Sequence, residues 1–362
     1  TAIQSFLARS RPWLEAHGVL YPDATPFVGS HPEIHHGVAA ALARPGPFPA
    51  ALVRFRDYLR RALDGGQTVL LSSEAFMRHV TPPPSATTTD VRPEEFWPKR
   101  EAYLDRMADY FDEFAPRISV YLRSPVAYAE SRFANKIMST AFAKHFDAFV
   151  ERGDAMFDYA RHIDSYARRF PEVTTQSFER AAAAGLIASF CADHGLPAPS
   201  PAQQAARRLR TAAENRAVLW MLRTKLEGAL SDMERGRRWR FALVEEGRPF
   251  FAEPGPSMFW RDADQRAAFL KTWGAPVRGV AFDPPRAAPS PRTVWDDAMH
   301  AAANTAFAAW AARNARDLVA RERMGLHAFE ERADLSQSRT GQTYLSRKAL
   351  GLRRRWERLT GR

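Results

Sequence analysis

Residues 120–131 constrain the fold of this chain more than any other segment. The segment starts with apolar residues up to Leu122, as a buried strand does, and Arg123 follows directly. A stretch with helical spacing comes next and carries Ser131, eight positions after the arginine. A strand that leads into a helix is the repeating unit of parallel α/β sheets, whose carboxyl edge binds phosphate at helix N-termini. Arg123 offers a planar set of donors that suits phosphate, and Ser131 offers a hydroxyl.

The same alternation of strand-like and helical patterns runs through the first two thirds of the chain. Short apolar runs predict strands at residues 19–21, 68–71, 118–122 and 173–177. Helical spacing fills the stretches around them, at residues 2–17, 35–42, 52–63, 103–114, 131–151, 158–170 and 181–194. We therefore expect an α/β domain over residues 1–240, with a parallel sheet flanked by helices. Residues 241–362 are expected to form an irregular and largely helical C-terminal extension.

Composition limits the class of protein. The chain has 362 residues, of which 45% are hydrophobic and 26% charged, as in ordinary globular proteins. Neither a run of 18 apolar residues nor a leader pattern is present, so we expect a cytoplasmic protein without a transmembrane segment. The single cysteine, Cys191, excludes an intrachain disulfide and a cysteine-cluster metal site. The net charge of +11 favours anionic partners such as a phosphorylated nucleotide or an acidic polysaccharide.

The Arg123/Ser131 spacing after a strand resembles the 3′-phosphate motif of sulfotransferases that use 3′-phosphoadenylyl sulfate. Other segments resemble the bacterial P-loop sulfotransferase-like family and occur in the family's order. They are Thr1-Ala2-Ile3-Gln4-Ser5-Phe6-Leu7, Gly18-Val19-Leu20-Tyr21-Pro22, His35-His36 and Leu71-Ser72-Ser73-Glu74. The resemblance covers about residues 1–230.

This resemblance implies a P-loop NTPase-like fold and a reaction. The enzyme would transfer a sulfuryl group from 3′-phosphoadenylyl sulfate to a hydroxyl, with a carbohydrate as the expected acceptor and without a metal. Arg123 and Ser131 would hold the 3′-phosphate, and Thr1 would contact the 5′-phosphate. The implied partners are the nucleotide donor and the hydroxyl acceptor, for which a polysaccharide would suit the basic charge. Nucleic acid would also suit that charge, but the motif does not point to it.

Residues 1–362 depart from the family pattern at the start. The first strand of the family and its phosphate loop, with the loop lysine, do not occur in them. We expect a shortened sequence of an active enzyme. The alternative is a catalytically inactive protein of the same fold that binds a nucleotide or polyanion. A nucleotide-dependent kinase is a weaker hypothesis, because no Walker-type sequence is present.

Three side chains are candidates for the base that removes the acceptor's proton. The resemblance places a histidine pair near the acceptor, and a neutral imidazole could act as the base at cellular pH, which makes His35 and His36 candidates. Glu74 competes with them because it follows the strand at residues 68–71, although acidic residues are also common in a helix's first turn. Ser73 is expected either to cap that helix or to line the donor pocket.

Overall fold

Helices separate four short parallel strands in the part of the chain that the structure describes. The structure is a computed structural model and describes residues 2–29, 35–84, 91–204, 215–243, 251, 259–282 and 295–323. The strands are β1 (Val19–Leu20), β2 (Thr68–Val69), β3 (Arg117–Leu122) and β4 (Glu172–Ser177). Strand β1 pairs with β2, and β3 pairs with β4, each time in parallel. The expected α/β class with parallel strands and flanking helices is therefore confirmed.

The helices fall close to the segments that have helical spacing in the sequence. Those before β3 are α1 (Ala2–Arg9), α2 (Arg11–Glu15), α3 (Thr25–Val28), α4 (His36–Leu42), α5 (Ala50–Asp64), α6 (Ala75–Arg78) and α7 (Pro93–Phe111). Those between β3 and residue 204 are α8 (Pro125–Ser139), α9 (Phe146–Arg152), α10 (Asp154–Phe157), α11 (Tyr159–Ala167), α12 (Phe178–Ala183), α13 (Leu186–Asp193) and α14 (Pro201–Gln204). The remainder are α15 (Asn215–Glu227), α16 (Asp232–Leu243), α17 (Ala263–Trp273), α18 (Asp297–Arg313) and α19 (Ala315–Arg323).

The chain divides into two compact units. The first contains Thr1–Ala129, Val150–Leu209 and Asp264–Arg286, and therefore all four strands. The second contains Glu130–Phe149, Arg210–Ala263 and Ala287–Arg362. Helix α8 begins in the first unit and ends in the second. The expected division of the chain at residues 240 and 241 stays a prediction.

Two hydrophobic clusters lie on the two faces of the strands in the first unit. The α5–α7 cluster is built around Leu42, Leu52, Phe55, Leu59, Tyr103, Leu104, Met107, Tyr110 and Phe111. The α1–α13 cluster is built around Phe6, Leu7, Leu14, Val19, Tyr21, Ile187, Phe190 and Cys191.

Both strand pairs contribute side chains to these two clusters. Val69 of β2 and Ile118 of β3 pack on the α5–α7 cluster, whereas Leu70, directly after β2, and Tyr121 of β3 pack on the α1–α13 cluster. Because successive side chains of a strand point to opposite faces, this sharing puts the two pairs into one layer between the same clusters. Among the described residues the pairs are not hydrogen-bonded to each other.

The strands are less buried than the sequence predicts. Thr68 is exposed, Val69 is half-buried, and within β3 only Leu122 is buried. The expectation of fully buried strands was wrong for these residues. Among the described residues each strand pairs with another strand on one side only. The other edge of the strand therefore has no neighbouring strand to cover it, which is the physical reason for the exposure.

The predicted helix at residues 131–151 is two helices. Helix α8 already begins at Pro125, and residues 140–145 separate its end from α9. The buried Lys225 of α15 stabilises this end, because its ammonium group donates to the carbonyl groups of Ile137 and Thr140. A lysine at the carbonyl end of a helix satisfies acceptors that the helix leaves open.

Aromatic side chains form much of the interior of the second unit. Phe133 and Phe146 pack against both Phe149 and Phe259, and Trp260 packs on Phe146. A separate group consists of Trp220, Phe241, Phe251, Phe307 and Trp310, all buried. The sequence favours packing over a sugar-binding surface for five aromatic residues, Trp220, Trp239, Phe250, Phe251 and Trp260. Trp220, Phe251 and Trp260 are buried, Trp239 is half-buried, and Phe250 lies outside the described residues.

Candidate functional site

Arg123 lies where β3 and β4 end side by side. The two strands are in register, with Leu122 opposite Ser177, so the next residues, Arg123 and Phe178, leave the sheet together. The Arg123 guanidinium carbon lies 5.8 Å from the centre of the Phe178 ring. Its Nε is buried and has no hydrogen-bond partner among the described groups. A buried donor without a partner is unfavourable, so this arginine is suited to bind an anion.

The carboxylate of Glu179 lies next to Arg123 at the start of α8. Glu179 Oε1 accepts the backbone N–H of Ser124 at 2.9 Å. Glu179 is in the first turn of α12, whose N-cap, Ser177, accepts the N–H of Arg180 at 3.3 Å. Glu179 is not among the site residues predicted from the sequence. Its position relative to Ser124 follows from the register of β3 and β4, in which each residue lies two positions after the last paired residue of its strand.

Ser131 lies on α8 and is exposed. The boundary between the two units falls at Ala129 and Glu130, so Ser131 belongs to the second unit and Arg123 to the first. The assignment of this pair to one phosphate stays a prediction.

His35 is buried and holds the ends of β1 and β2 together. Its Nδ1 accepts the backbone N–H of Ser72 at 3.0 Å, and its Nε2 donates to the carbonyl oxygen of Pro22 at 2.9 Å. Burial lowers the pKa of His35 to about 4, so the ring is neutral at cellular pH. Both ring nitrogens bond to the backbone, and this geometry gives His35 a structural role.

The second histidine of the pair contacts the loop after β2. His36 Nδ1 lies 3.1 Å from Ser73 Oγ, and Ser73 Oγ accepts the backbone N–H of Ala75, also at 3.1 Å. Glu74 is exposed at the start of α6 and makes no capping hydrogen bond. The structure thus brings His36, Ser73 and Glu74 together beyond the carboxyl end of β2.

The buried Arg100 of α7 fixes the other end of α6. Its Nη1 donates to the carbonyl oxygen of His79 at 2.8 Å, and its Nη2 donates to Tyr166 OH at 3.0 Å. Tyr166 OH in turn donates to the carbonyl oxygen of Phe76 at 2.7 Å. Arg100 is 0% exposed, and our sequence analysis did not identify it. Its position four residues after Phe96, on the apolar face of α7, was the available signal.

Arg100 also acts on two buried histidines. Burial lowers the pKa of His79 to about 4, and the neighbouring Arg78, His36 and Arg100 contribute in the same direction. Burial, followed by the charge of Arg100, lowers the pKa of His162 to about 3. The rings of His79 and His162 are therefore neutral at cellular pH.

Two groups of residues singled out in the sequence lie outside the described residues. Thr1, expected at the 5′-phosphate, is one of them. The others are the basic residues Arg207, Arg208 and Arg210, whose clustering in the sequence is typical of a solvent-exposed face. Within the described ranges, no His, Cys, Asp and Glu side chains form a group of three or more that could hold a metal. None of the helices described here is long and apolar enough to cross a membrane.

Comparisons with known proteins identify no significant relative of this chain. No protein-family model matches the chain, and neither the curated proteins nor the solved structures contain a significant match. The assignment of a function therefore depends on the residues at the carboxyl ends of β2 and β3.

Proposed function

We propose that this chain is a sulfotransferase with a P-loop fold, which uses 3′-phosphoadenylyl sulfate as the sulfuryl donor and a hydroxyl, expected on a carbohydrate, as the acceptor. The observation that carries the proposal is Arg123. It follows a parallel strand, precedes the N-terminus of a long helix, and has a buried Nε without a hydrogen-bond partner among the described groups. A 3′-phosphate on Arg123 would satisfy this donor through a charge-assisted bond.

On the acceptor side, His36 is the base that the geometry favours. Ser73 Oγ already accepts one N–H, and it has a second lone pair for a proton on His36 Nδ1. A neutral imidazole can act as the general base at cellular pH, and Ser73 orients this ring at the end of β2. His35 is less suited to this role because both of its nitrogens bond to the backbone. Glu74 is the second candidate, since it is exposed at the same strand end.

The reaction would be an in-line displacement at sulfur. The acceptor oxygen forms a bond to sulfur while the bond between sulfur and the phosphate oxygen breaks. The hydroxyl proton passes to the base, and the electron pair stays on the leaving phosphate of adenosine 3′,5′-bisphosphate. Charge develops on that phosphate, and donors preorganised around it would lower the barrier.

The arrangement of the strands supports the fold part of the proposal. Two parallel pairs share the same two hydrophobic clusters without hydrogen bonds between the pairs in the described residues. We propose that the fold includes the further parallel strand that the family resemblance implies, which would pair with both and deliver the phosphate loop. A cytoplasmic location also remains a prediction.

The main alternative is an inactive protein of the same fold that binds a nucleotide or polyanion. Glu179 on the Ser124 amide is compatible with it, because a carboxylate at this position weakens anion binding. Protein expressed from the whole natural reading frame should be tested for transfer of labelled sulfate from 3′-phosphoadenylyl sulfate to a panel of sugars. Transfer that His36→Ala abolishes supports the enzyme, whereas nucleotide binding without turnover supports the alternative.

A further inference from the structure

The register of β3 and β4 places an acidic side chain at the site proposed for the nucleotide's 3′-phosphate. Leu122 pairs with Ser177, and beyond this pair Ser124 and Glu179 lie opposite each other. The Glu179 carboxylate accepts the Ser124 N–H at 2.9 Å. Pro125, the first residue of α8, has no N–H, so the Ser124 amide is the first backbone donor at this end of the 15-residue helix.

The neighbouring cation does not pair with this carboxylate. In the described ranges no salt bridge joins Arg123 to Glu179, and Arg123 Nε has no hydrogen-bond partner there. Both charges nevertheless act on the same phenol, that of the buried Tyr159. Burial raises the pKa of Tyr159, Glu179 raises it further, and Arg123 lowers it. Two donors therefore lie at this site. Arg123 Nε has no partner among the described groups, and the Ser124 N–H is bound by the Glu179 carboxylate.

We propose that Glu179 limits the anion affinity of this site by competing with the ligand's phosphate for the Ser124 amide. The inference rests on the proposed function, because it takes Arg123 as the phosphate contact. A phosphomonoester carries a charge of about −1.5 to −2 at neutral pH, against −1 for a carboxylate. It must displace the Glu179 carboxylate before it can bridge Arg123 and Ser124, so this carboxylate weakens its binding.

A structural explanation predicts different behaviour. If Glu179 only ties α12 to α8, removal of its charge has no effect on ligand affinity. Glu179→Gln separates the two explanations because glutamine keeps an oxygen acceptor for the Ser124 N–H and lacks the charge. Glu172→Gln is a matched control, since Glu172 lies at the opposite end of β4 and pairs with Arg117 at 2.9 Å.

The experiment is a calorimetric titration with adenosine 3′,5′-bisphosphate. The proteins are the wild type, Glu179→Gln, Glu172→Gln and Arg123→Ala, all expressed from the natural reading frame. We expect Glu179→Gln to tighten binding roughly tenfold, the size of one charge-assisted hydrogen bond. We expect Glu172→Gln to match the wild type and Arg123→Ala to bind more weakly. A 3′-phosphodiester analogue, which carries one negative charge on that group, should gain affinity in Glu179→Gln by a smaller factor than the bisphosphate.

The other possible outcomes of this titration would each overturn the inference about Glu179. Unchanged or weaker binding by Glu179→Gln, while Arg123→Ala still weakens binding, would overturn the competition and leave the proposed function intact. Equal tightening by Glu172→Gln would show a general charge effect and would also overturn it. If Arg123→Ala binds like the wild type, or if neither the wild type nor Glu179→Gln binds the nucleotide, both the inference and the proposed function fail.

Discussion

The Nδ1 of His36 lies 3.1 Å from the Oγ of Ser73, which connects the start of α4 to the loop after β2. His35, one position earlier, has both ring nitrogens bonded to the backbone. The two adjacent histidines therefore differ in their contacts. His35 links the ends of β1 and β2 through the backbone, whereas His36 contacts a side chain at the same strand end and is the base that we propose.

His36→Ala should lower kcat for sulfuryl transfer by on the order of 10²–10⁴, the range for loss of a general base. Because the wild-type base must be neutral, its kcat should fall on the acid side of the pH profile, and the variant should lose this limb. His17→Ala is the matched control, since His17 is exposed and bonds only within its own helical region. An unchanged pH profile in His36→Ala, together with a loss of the acid limb in Glu74→Gln, would assign the base to Glu74.

Arg123→Ala should weaken the binding of adenosine 3′,5′-bisphosphate by roughly tenfold or more and leave adenosine 5′-phosphate unaffected. The reason is that only the first nucleotide carries the phosphate assigned to this guanidinium. Arg117→Ala is a control at the opposite end of β3, where the side chain is largely exposed. Calorimetric titration with both nucleotides tests this expectation. Equally weakened binding of both nucleotides would contradict the assignment of Arg123 to the 3′-phosphate.

The buried histidines should make the protein sensitive to acid. An unfolded histidine takes up a proton below about pH 6.5, whereas folded His35 does so only below about 4. In this window the unfolded state binds more protons, so stability is fully present above pH 6.5 and declines as the pH falls towards 4. His35 alone should account for about 2 kcal/mol between pH 7 and pH 5.

Chemical denaturation at pH 7 and pH 5 measures this loss. In His35→Gln the difference in unfolding free energy between the two pH values should be smaller than in the wild type by that amount. The variant is also expected to be less stable at pH 7, because the link between Pro22 and Ser72 is altered. An identical pH difference in both proteins would show that His35 is protonated as easily in the folded state as in the unfolded state.

Residues 1–362 contain no phosphate loop of the family's pattern and should show little or no sulfuryl transfer, whereas a version extended by such a strand and loop should recover it. Loss of even one preorganised donor to developing charge can cost on the order of 10²–10³ in rate, and a phosphate loop supplies several. Transfer from labelled 3′-phosphoadenylyl sulfate compares the two proteins directly. Robust turnover by residues 1–362 alone would show that the loop is dispensable and that the mechanism is wrong.

The local features of this fold could be predicted from sequence because they depend on neighbouring residues. Strand β3 was predicted within one residue of its observed start, since Ile118, Val120 and Tyr121 have high β propensity. The helical stretch predicted at residues 2–17 is divided at Ser10 into α1 and α2, and Pro12, which lacks an N–H, occupies the first turn of α2. In contrast, α7 begins ten residues before its predicted start and continues through Pro98, because tertiary packing of Phe96 and Arg100 outweighs the local signals.

The features that were missed depend on residues far apart in the chain. The end of α8 is set by Lys225, 88 residues from its acceptor at Ile137. The contact between Ser124 and Glu179 joins positions 55 residues apart and follows from the register of two strands. Periodicity locates the strands but not their register, so the acidic group beside Arg123 could not be predicted without the pairing.

The hydrogen bonds of Arg100 and Tyr166 have a consequence for folding kinetics. Helix α6 is a single turn of four residues, too short to persist by itself, and its carbonyl groups at Phe76 and His79 are held from α11 and α7. The bond from Tyr166 to Phe76 closes a loop of 90 residues. Contacts of such long range form late, after the entropy of loop closure has been overcome. The segment with Ser73 and Glu74 is therefore among the last parts of the first unit to become ordered, and the first to be lost when α11 detaches.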